Sequence, residues 1–271
     1  MDARRLAMLR EMGITVWTRR TAVSAQAGVQ EAEPASEGRS PEAPAAARPP
    51  RHVRPGAPAA VSVPVPVPVV SGEREQSIAQ MDWPALKEAV SGCQACALHG
   101  SRTRTVFGVG DEQADWMLVG EAPGADEDRE GEPFVGQAGR LLDLMLDAIA
   151  LKRGEDVYIA NVLKCRPPGN RNPQPEEIAR CAPHLLRQVS LVQPRLLVAM
   201  GRFAAQTLLA TDASIASLRG KVHDYHGVPL IVTYHPAYLL RTPEDKAKSW
   251  QDLLFARRTM AGLKPAPSAP N

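Results

Sequence analysis

The stretch Trp116-Met-Leu-Val-Gly-Glu-Ala-Pro-Gly-Ala-Asp-Glu-Asp-Arg-Glu-Gly-Glu-Pro-Phe-Val-Gly136 decides the fold, because an apolar run stops abruptly there in a loop crowded with glycines and carboxylates. A short run that is apolar at every position is what a strand covered on both faces requires. In an open parallel sheet, ligands bind outside the carboxyl ends of the strands, so Gly120, Glu121 and the loop to Phe134 stand where chemistry is expected. Taken alone, an ordinary strand-to-helix turn accounts for the same residues at least as well, since a glycine-rich loop is a weak signal.

Outward from this stretch, apolar runs alternate with helical periods. Strands are expected at residues 116–119, 157–162, 196–200 and 229–234, and helices at 137–150, 175–191, 203–209 and 243–260. A further helix is expected over 83–90, with Asp82 as its N-cap and Pro84 in its first turn. Strands separated by helices form right-handed β-α-β units, which predicts a three-layer α/β/α domain on a four-stranded parallel sheet. Glu121 follows the first strand, Asn161 ends the second and His235 follows the last. A parallel sheet gathers all three at one edge. Singly, Asn161 reads equally well as a turn cap and His235 as a satisfied structural residue.

The rest of the chain is of different composition. Residues 21–82 contain no Phe, Tyr or Trp and hold 10 of the 25 prolines, several in Val-Pro repeats. Such a segment buries too little surface to offset its ordering entropy and is expected to be a disordered tether, stiffened by polyproline II character. This divides the chain into an N-terminal peptide (1–20), the tether (21–82), the folded domain (83–262) and a disordered tail (263–271). The formal net charge of +2 excludes no partner, because nucleic acid needs only a local basic face. The sequence has no run of about 18 apolar residues and no secretory signal, so a cytoplasmic protein without membrane contact is expected.

Four cysteines complete the inventory: Cys93-x2-Cys96, Cys165 and Cys181. Without export signals a disulfide framework is not expected. Four thiolates suit either tetrahedral zinc or an iron-sulfur cluster, and spacing alone does not separate the two.

At this point Gly120-Glu-Ala-Pro-Gly124 with Phe134-Val-Gly136, Asn161-Val-Leu-Lys-Cys-Arg-Pro-Pro168 and His235-Pro-Ala-Tyr-Leu-Leu240 together resemble the iron-sulfur family 4 of the uracil-DNA glycosylase superfamily. The match runs from about Cys93 to Phe255. It implies one [4Fe-4S] cluster on Cys93, Cys96, Cys165 and Cys181, a bacterial DNA-repair enzyme of the nucleoid, and a monomer. Pro168-Gly-Asn-Arg-Asn-Pro-Gln-Pro175 lacks the long basic insertion with a histidine of a related branch that traps DNA covalently, so ordinary turnover is expected. The resemblance makes Phe134 the platform on which an extruded base stacks, and Asn161 the reader of uracil N3–H and O4. Gly120 belongs to the same pocket. His235 becomes the donor to O2, and Glu121 the group that orients water or favours the cationic sugar. Lys164, Arg166, Arg171, Arg102 and Arg104 are candidate phosphate contacts, and Leu239, Leu240 and Arg241 lie in the loop that wedges into duplex DNA.

Residues 4–20 resemble the N-terminal peptide of the psi subunit of bacterial DNA polymerase III, which docks on the chi subunit. The shared residues include Leu9, Gly13-Ile14-Thr15, Trp17 and Arg19-Arg20, and the resemblance implies a replisome partner held at the end of the tether. Two other functions remain open on the sequence: a DNA-binding protein without turnover, and a metal-dependent hydrolase built on Asp126, Glu127 and Asp128.

Overall fold

The computed structural model describes residues 72–263. The N-terminal peptide, the tether up to residue 71 and the tail from residue 264 lie outside the described residues. The folded part starts sooner than expected. Residues 73–80, assigned to the tether, form helix α1 (Glu73–Gln80), which packs against the long helix α5 (Pro175–Val192) and buries Ile78. Helix α2 (Trp83–Ser91) follows, capped as expected by Asp82, whose carboxylate accepts the Ala85 N–H at 3.0 Å.

Four strands run parallel where the apolar runs predicted them: β2 (Trp116–Gly120), β3 (Val157–Asn161), β4 (Leu196–Met200) and β6 (Val228–Thr233). The sheet nevertheless has six strands in the order β1-β3-β2-β4-β6-β5, not four. The two additions, β1 (Val109–Gly110) and β5 (His223–Tyr225), are short antiparallel edges. Each depends on local backbone chemistry rather than on an apolar pattern. A side chain on Gly110 would stand 2.2 Å from the Val157 carbonyl oxygen, so only glycine lets β1 approach β3. The turn from β5 to β6 places His226 and Gly227 at φ 51° and 86°, the left-handed pair that suits a two-residue hairpin.

Successive residues of the parallel strands face opposite layers. Met117, Val119, Tyr158, Ala160, Leu197 and Ala199 pack under α5 and helix α6 (Arg202–Leu209). Trp116, Leu118, Ile159, Val198 and Ile231 pack under helices α4 (Gln137–Ala148) and α9 (Lys246–Leu263). Both faces are therefore dry, the condition for parallel strands to be apolar throughout. Three shorter helices complete the described elements of this kind: α3 (Ala125–Glu130), α7 (Ile215–Leu218) and α8 (Pro236–Arg241). No helix among the described residues is long and apolar enough to cross a membrane.

The earlier domain start has a measurable consequence. Because Ile78 is only 3% exposed, Ile78→Ala should lower unfolding stability by about 2 kcal/mol in urea denaturation. A tether residue would leave the midpoint unchanged.

Candidate active site

The parallel register pairs Gly120 with Asn161, so the last residues of β2 and β3 lie side by side at the carboxyl edge. Gly120 has no side chain to fill the space above it. A Cβ there would stand 2.3 Å from Asn161 Oδ1 and 2.8 Å from Phe134 Cζ. The amide of Asn161 and the ring of Phe134 therefore converge over bare backbone. Asn161 is only 2% exposed, and its Oδ1 is a buried acceptor with no hydrogen-bond partner. An unpaired buried carbonyl costs roughly 1–3 kcal/mol, a penalty that a ligand N–H would relieve.

Phe134 stacks at 5.4 Å, centroid to centroid, on the ring of His235. His235 caps α8, and its Nδ1 accepts the Ala237 N–H at 3.1 Å. That bond leaves the ring proton of the neutral imidazole on Nε2, a donor free for a ligand. The atoms packed round the ring desolvate it and Arg241 adds positive charge, which together hold its pKa down to about 4. His235 is thus a neutral donor at physiological pH. Gly201, at φ 91°, allows the histidine to close in, since a Cβ there would meet His235 Cβ at 2.8 Å.

Glu121 begins the loop after β2. Burial raises its carboxyl from 4.5 to about 7, opposed by the positive charge of Arg202 at the start of α6. A carboxyl poised near neutrality can hold either a proton or a charge, as an acid-base group must. The neighbouring acids are committed elsewhere. Glu127 accepts the N–H groups of Gly124, Val135 and Gly136, and Asp128 those of Thr103 and Arg104. Asp126 pairs with Arg129. Glu127 and Asp128 thus hold backbone N–H groups, while Asp126 stands in an exposed ion pair. Sequence reasoning missed the role of Glu127, although its place three residues after Gly124 fits a helix-start box.

Cys93, Cys96, Cys165 and Cys181 line a single cavity between α2 and α5. Donors surround the sulfurs: Arg102 Nη1 lies 3.2 Å from Cys165 Sγ, the Lys164 N–H 3.3 Å from Cys181 Sγ, and Arg74 Nη2 3.8 Å from Cys93 Sγ. Among the described residues no three His, Cys, Asp or Glu side chains converge to hold a single metal ion.

The DNA-contact candidates divide. Lys164 is 1% exposed, and its ammonium donates to the Asn161 carbonyl at 2.8 Å and to Gln188 Oε1 at 2.6 Å, so it is a buried strut and not a phosphate ligand. Arg102 is committed to the cysteine loop through the carbonyls of Ser91 and Cys93. Arg171 forms a two-pronged pair with Glu177 at 2.6 and 2.9 Å, while Arg166 donates to Asn170. Leu239 is 0% exposed in the core beneath α8, whereas Leu240 is 43% exposed, so of the two leucines only Leu240 is available to enter DNA. Arg241 beside it is exposed.

The raised Glu121 carboxyl couples the site to stability. Below about pH 4 the group is neutral folded and unfolded alike. Between 4.5 and about 7 the unfolded chain ionises first, and the stability belonging to the neutral folded form is lost as pH rises. Glu121→Gln should match the wild type in thermal denaturation near pH 4 and exceed it near pH 8, by on the order of 1 kcal/mol after allowance for solvent screening. Equal midpoints at both pH values would show that Glu121 carries no burial penalty.

Comparison with known proteins agrees with this geometry. The family profile described as the Uracil DNA glycosylase superfamily matches residues 107–254. A type-4 uracil-DNA glycosylase of Archaeoglobus fulgidus is 48% identical over 163 residues, covering 57% of this chain and 81% of its own. The type-4 enzyme of Pyrobaculum aerophilum is 42% identical over 181 residues, 64% of this chain and 92% of its own. A type-5 enzyme of Thermus thermophilus is 32% identical over 180 residues, 59% of this chain and 82% of its own. With a profile match over more than half its length, and with the Gly120, Asn161 and His235 motifs gathered at one sheet edge, the chain belongs to the uracil-DNA glycosylase superfamily, alongside its type-4 members.

Proposed function

We propose that the chain is a monofunctional DNA-repair glycosylase that hydrolyses the N-glycosidic bond of a flipped-out deoxyuridine, releasing uracil and leaving an abasic site. The observation that carries this reading is the unpartnered Oδ1 of Asn161, buried beside Gly120 and the Phe134 ring. Uracil presents N3–H next to O4, which an amide satisfies with its oxygen and its NH2 group. Cytosine presents the reverse pattern and would leave both groups mispaired. Phe134 supplies the stacking surface. As the C1′–N1 bond breaks, its electron pair passes to the base, and the neutral His235 Nε2–H stabilises the charge developing on O2. Water adds to C1′ on the other side of the sugar, oriented by Glu121, whose ionised form prevails above about pH 7 and also favours the cationic sugar. The water's proton leaves through Glu121 or to solvent.

The cysteine cavity fits a [4Fe-4S] cluster held by Cys93, Cys96, Cys165 and Cys181. Four cysteines line one cavity, and the N–H and guanidinium donors at the sulfurs suit the negative charge of a thiolate-bound cluster. When bound, the cluster supplies cross-links that tie the start of the domain to its middle. The remaining assignments are Leu240 as the wedge and Arg241, Arg166 and Arg171 as phosphate contacts, in a cytoplasmic, monomeric enzyme.

One preparation tests enzyme and cofactor together. Protein purified from iron-replete cells should be brown, contain iron and acid-labile sulfide, and release uracil from a uracil-containing oligonucleotide regardless of EDTA. Stoichiometric zinc without iron would overturn the cluster, and brown protein unable to release uracil would overturn the enzyme. Asn161→Asp should relax selectivity toward cytosine; undiminished uracil preference would refute the base-reading role.

For residues 4–20, the likeness to the psi peptide supports docking on the polymerase III chi subunit, with Leu9, Ile14 and Trp17 as anchors. A peptide of residues 1–25 should bind chi at tens of micromolar or tighter, and Trp17→Ala should abolish binding. Binding indifferent to Trp17 would exclude this mode.

A further inference from the structure

The platform residue Phe134 sits in a conformation that an aromatic side chain does not adopt by itself. Its φ is 58°, in the left-handed region, at a cost of roughly 1–3 kcal/mol that the surroundings must offset. The conformation turns the ring inward, to 6% exposure, against Gly120 and His235. Its carbonyl is correspondingly pushed against α4: a Cβ on Gly139 would lie 1.7 Å from the Phe134 oxygen.

One side chain from across the loop holds that carbonyl. Arg153, in the turn before β3, donates from Nη1 to the Pro133 oxygen at 2.9 Å and from Nη2 to the Phe134 oxygen at 3.0 Å. Its Nε donates to Asp143 Oδ1 of α4 at 2.9 Å, which fixes the plane of the guanidinium. The fork thus grips two consecutive carbonyls, while Glu127 accepts the N–H groups of the next two residues, Val135 and Gly136. Each of the three guanidinium nitrogens of Arg153 thus has a partner, two on the loop backbone and one on α4.

We infer that Arg153, oriented by Asp143, is a positioning residue for base recognition: it clamps the strained Pro133–Phe134 backbone so that the Phe134 ring is in place before the base arrives. Preorganisation of this kind acts on the bound base, and a displacement of the ring by about 1 Å can reduce rate on the order of a hundredfold. A lysine keeps the charge but cannot span two carbonyls with a planar fork, so Arg153→Lys is not conservative here. The inference rests on Phe134 being the stacking platform, and its test separates the two.

The measurement is single-turnover uracil release by the full-length, cluster-loaded protein at saturating oligonucleotide, for wild type, Arg153→Lys, Phe134→Ala and the double variant. Affinity for a uracil-free oligonucleotide and the thermal midpoint are measured in parallel. Arg153→Lys should slow release roughly tenfold or more in the wild-type background and less than about twofold once Phe134 is alanine, with affinity for uracil-free DNA unchanged. Arg153→Gln, which keeps a shorter planar donor, should behave like Arg153→Lys. An equal reduction in both backgrounds, or weakened binding to uracil-free DNA, would overturn the inference, since Arg153 would then act through the fold or on phosphate. Wild-type rates for Arg153→Lys and Arg153→Gln would overturn it too. Phe134→Ala at the wild-type rate would instead overturn the stacking role, and this inference with it.

Discussion

The missing side chain at Gly120 is the constraint on which the site depends. Parallel pairing places Asn161 beside it, and the vacant position lets the Asn161 oxygen and the Phe134 ring approach to distances that any Cβ would forbid. A protein interior normally fills such a space. Here the surroundings converge on it and leave an acceptor without a donor, a local defect in satisfaction that the proposed base edge would relieve. The same trade recurs at Glu121, where burial holds a carboxyl near neutrality at the expense of stability, and at Phe134, where the backbone is strained. The sheet beneath, dry on both faces, supplies the rigidity against which these costs are held.

His235 shows how a local structural rule yields a chemical one. The residue is the N-cap of a short helix, and capping occupies Nδ1 as an acceptor. The tautomer follows, with Nε2 as the donor, and desolvation keeps the ring neutral. A neutral donor stabilises a developing anion without first binding a proton from solvent. Beneath it, the Thr233 hydroxyl donates to Asp252 at 2.9 Å, and Arg219 donates to the same carboxylate oxygen at 2.6 Å, anchoring the end of β6 from which His235 emerges.

The parallel strands and their polar ends were legible because burial on both faces leaves an unbroken apolar run, and because chemistry collects where such runs end. The common edge of Glu121, Asn161 and His235 was read this way, and the candidate role of Phe134 came from the resemblance of its loop. The edge strands were not legible: β1 is two residues long and is admitted by Gly110, and β5 is formed by a His-Gly turn rather than by an apolar pattern. Helix α1 was hidden by the proline-rich composition that precedes it, although Ile78 alone supplies its buried contact. Lys164 read as a phosphate ligand because charge is visible in a sequence and burial is not. Leu239 and Leu240 are chemically identical, and only the helical phase of α8 sends one inward and the other out. Arg153 carried no signal, since two of its partners are backbone carbonyls about twenty residues away and the third, Asp143, lies in another element.

The central claim is that the buried oxygen of Asn161 awaits the N3–H of a base. Inhibition of uracil excision by free bases tests it without altering the protein. Uracil should inhibit competitively, while 3-methyluracil, which keeps both carbonyls and the ring but lacks the N–H, should not inhibit at the same concentration. Equal inhibition by the two would contradict the account, because the Asn161 acceptor would then play no part in reading the base.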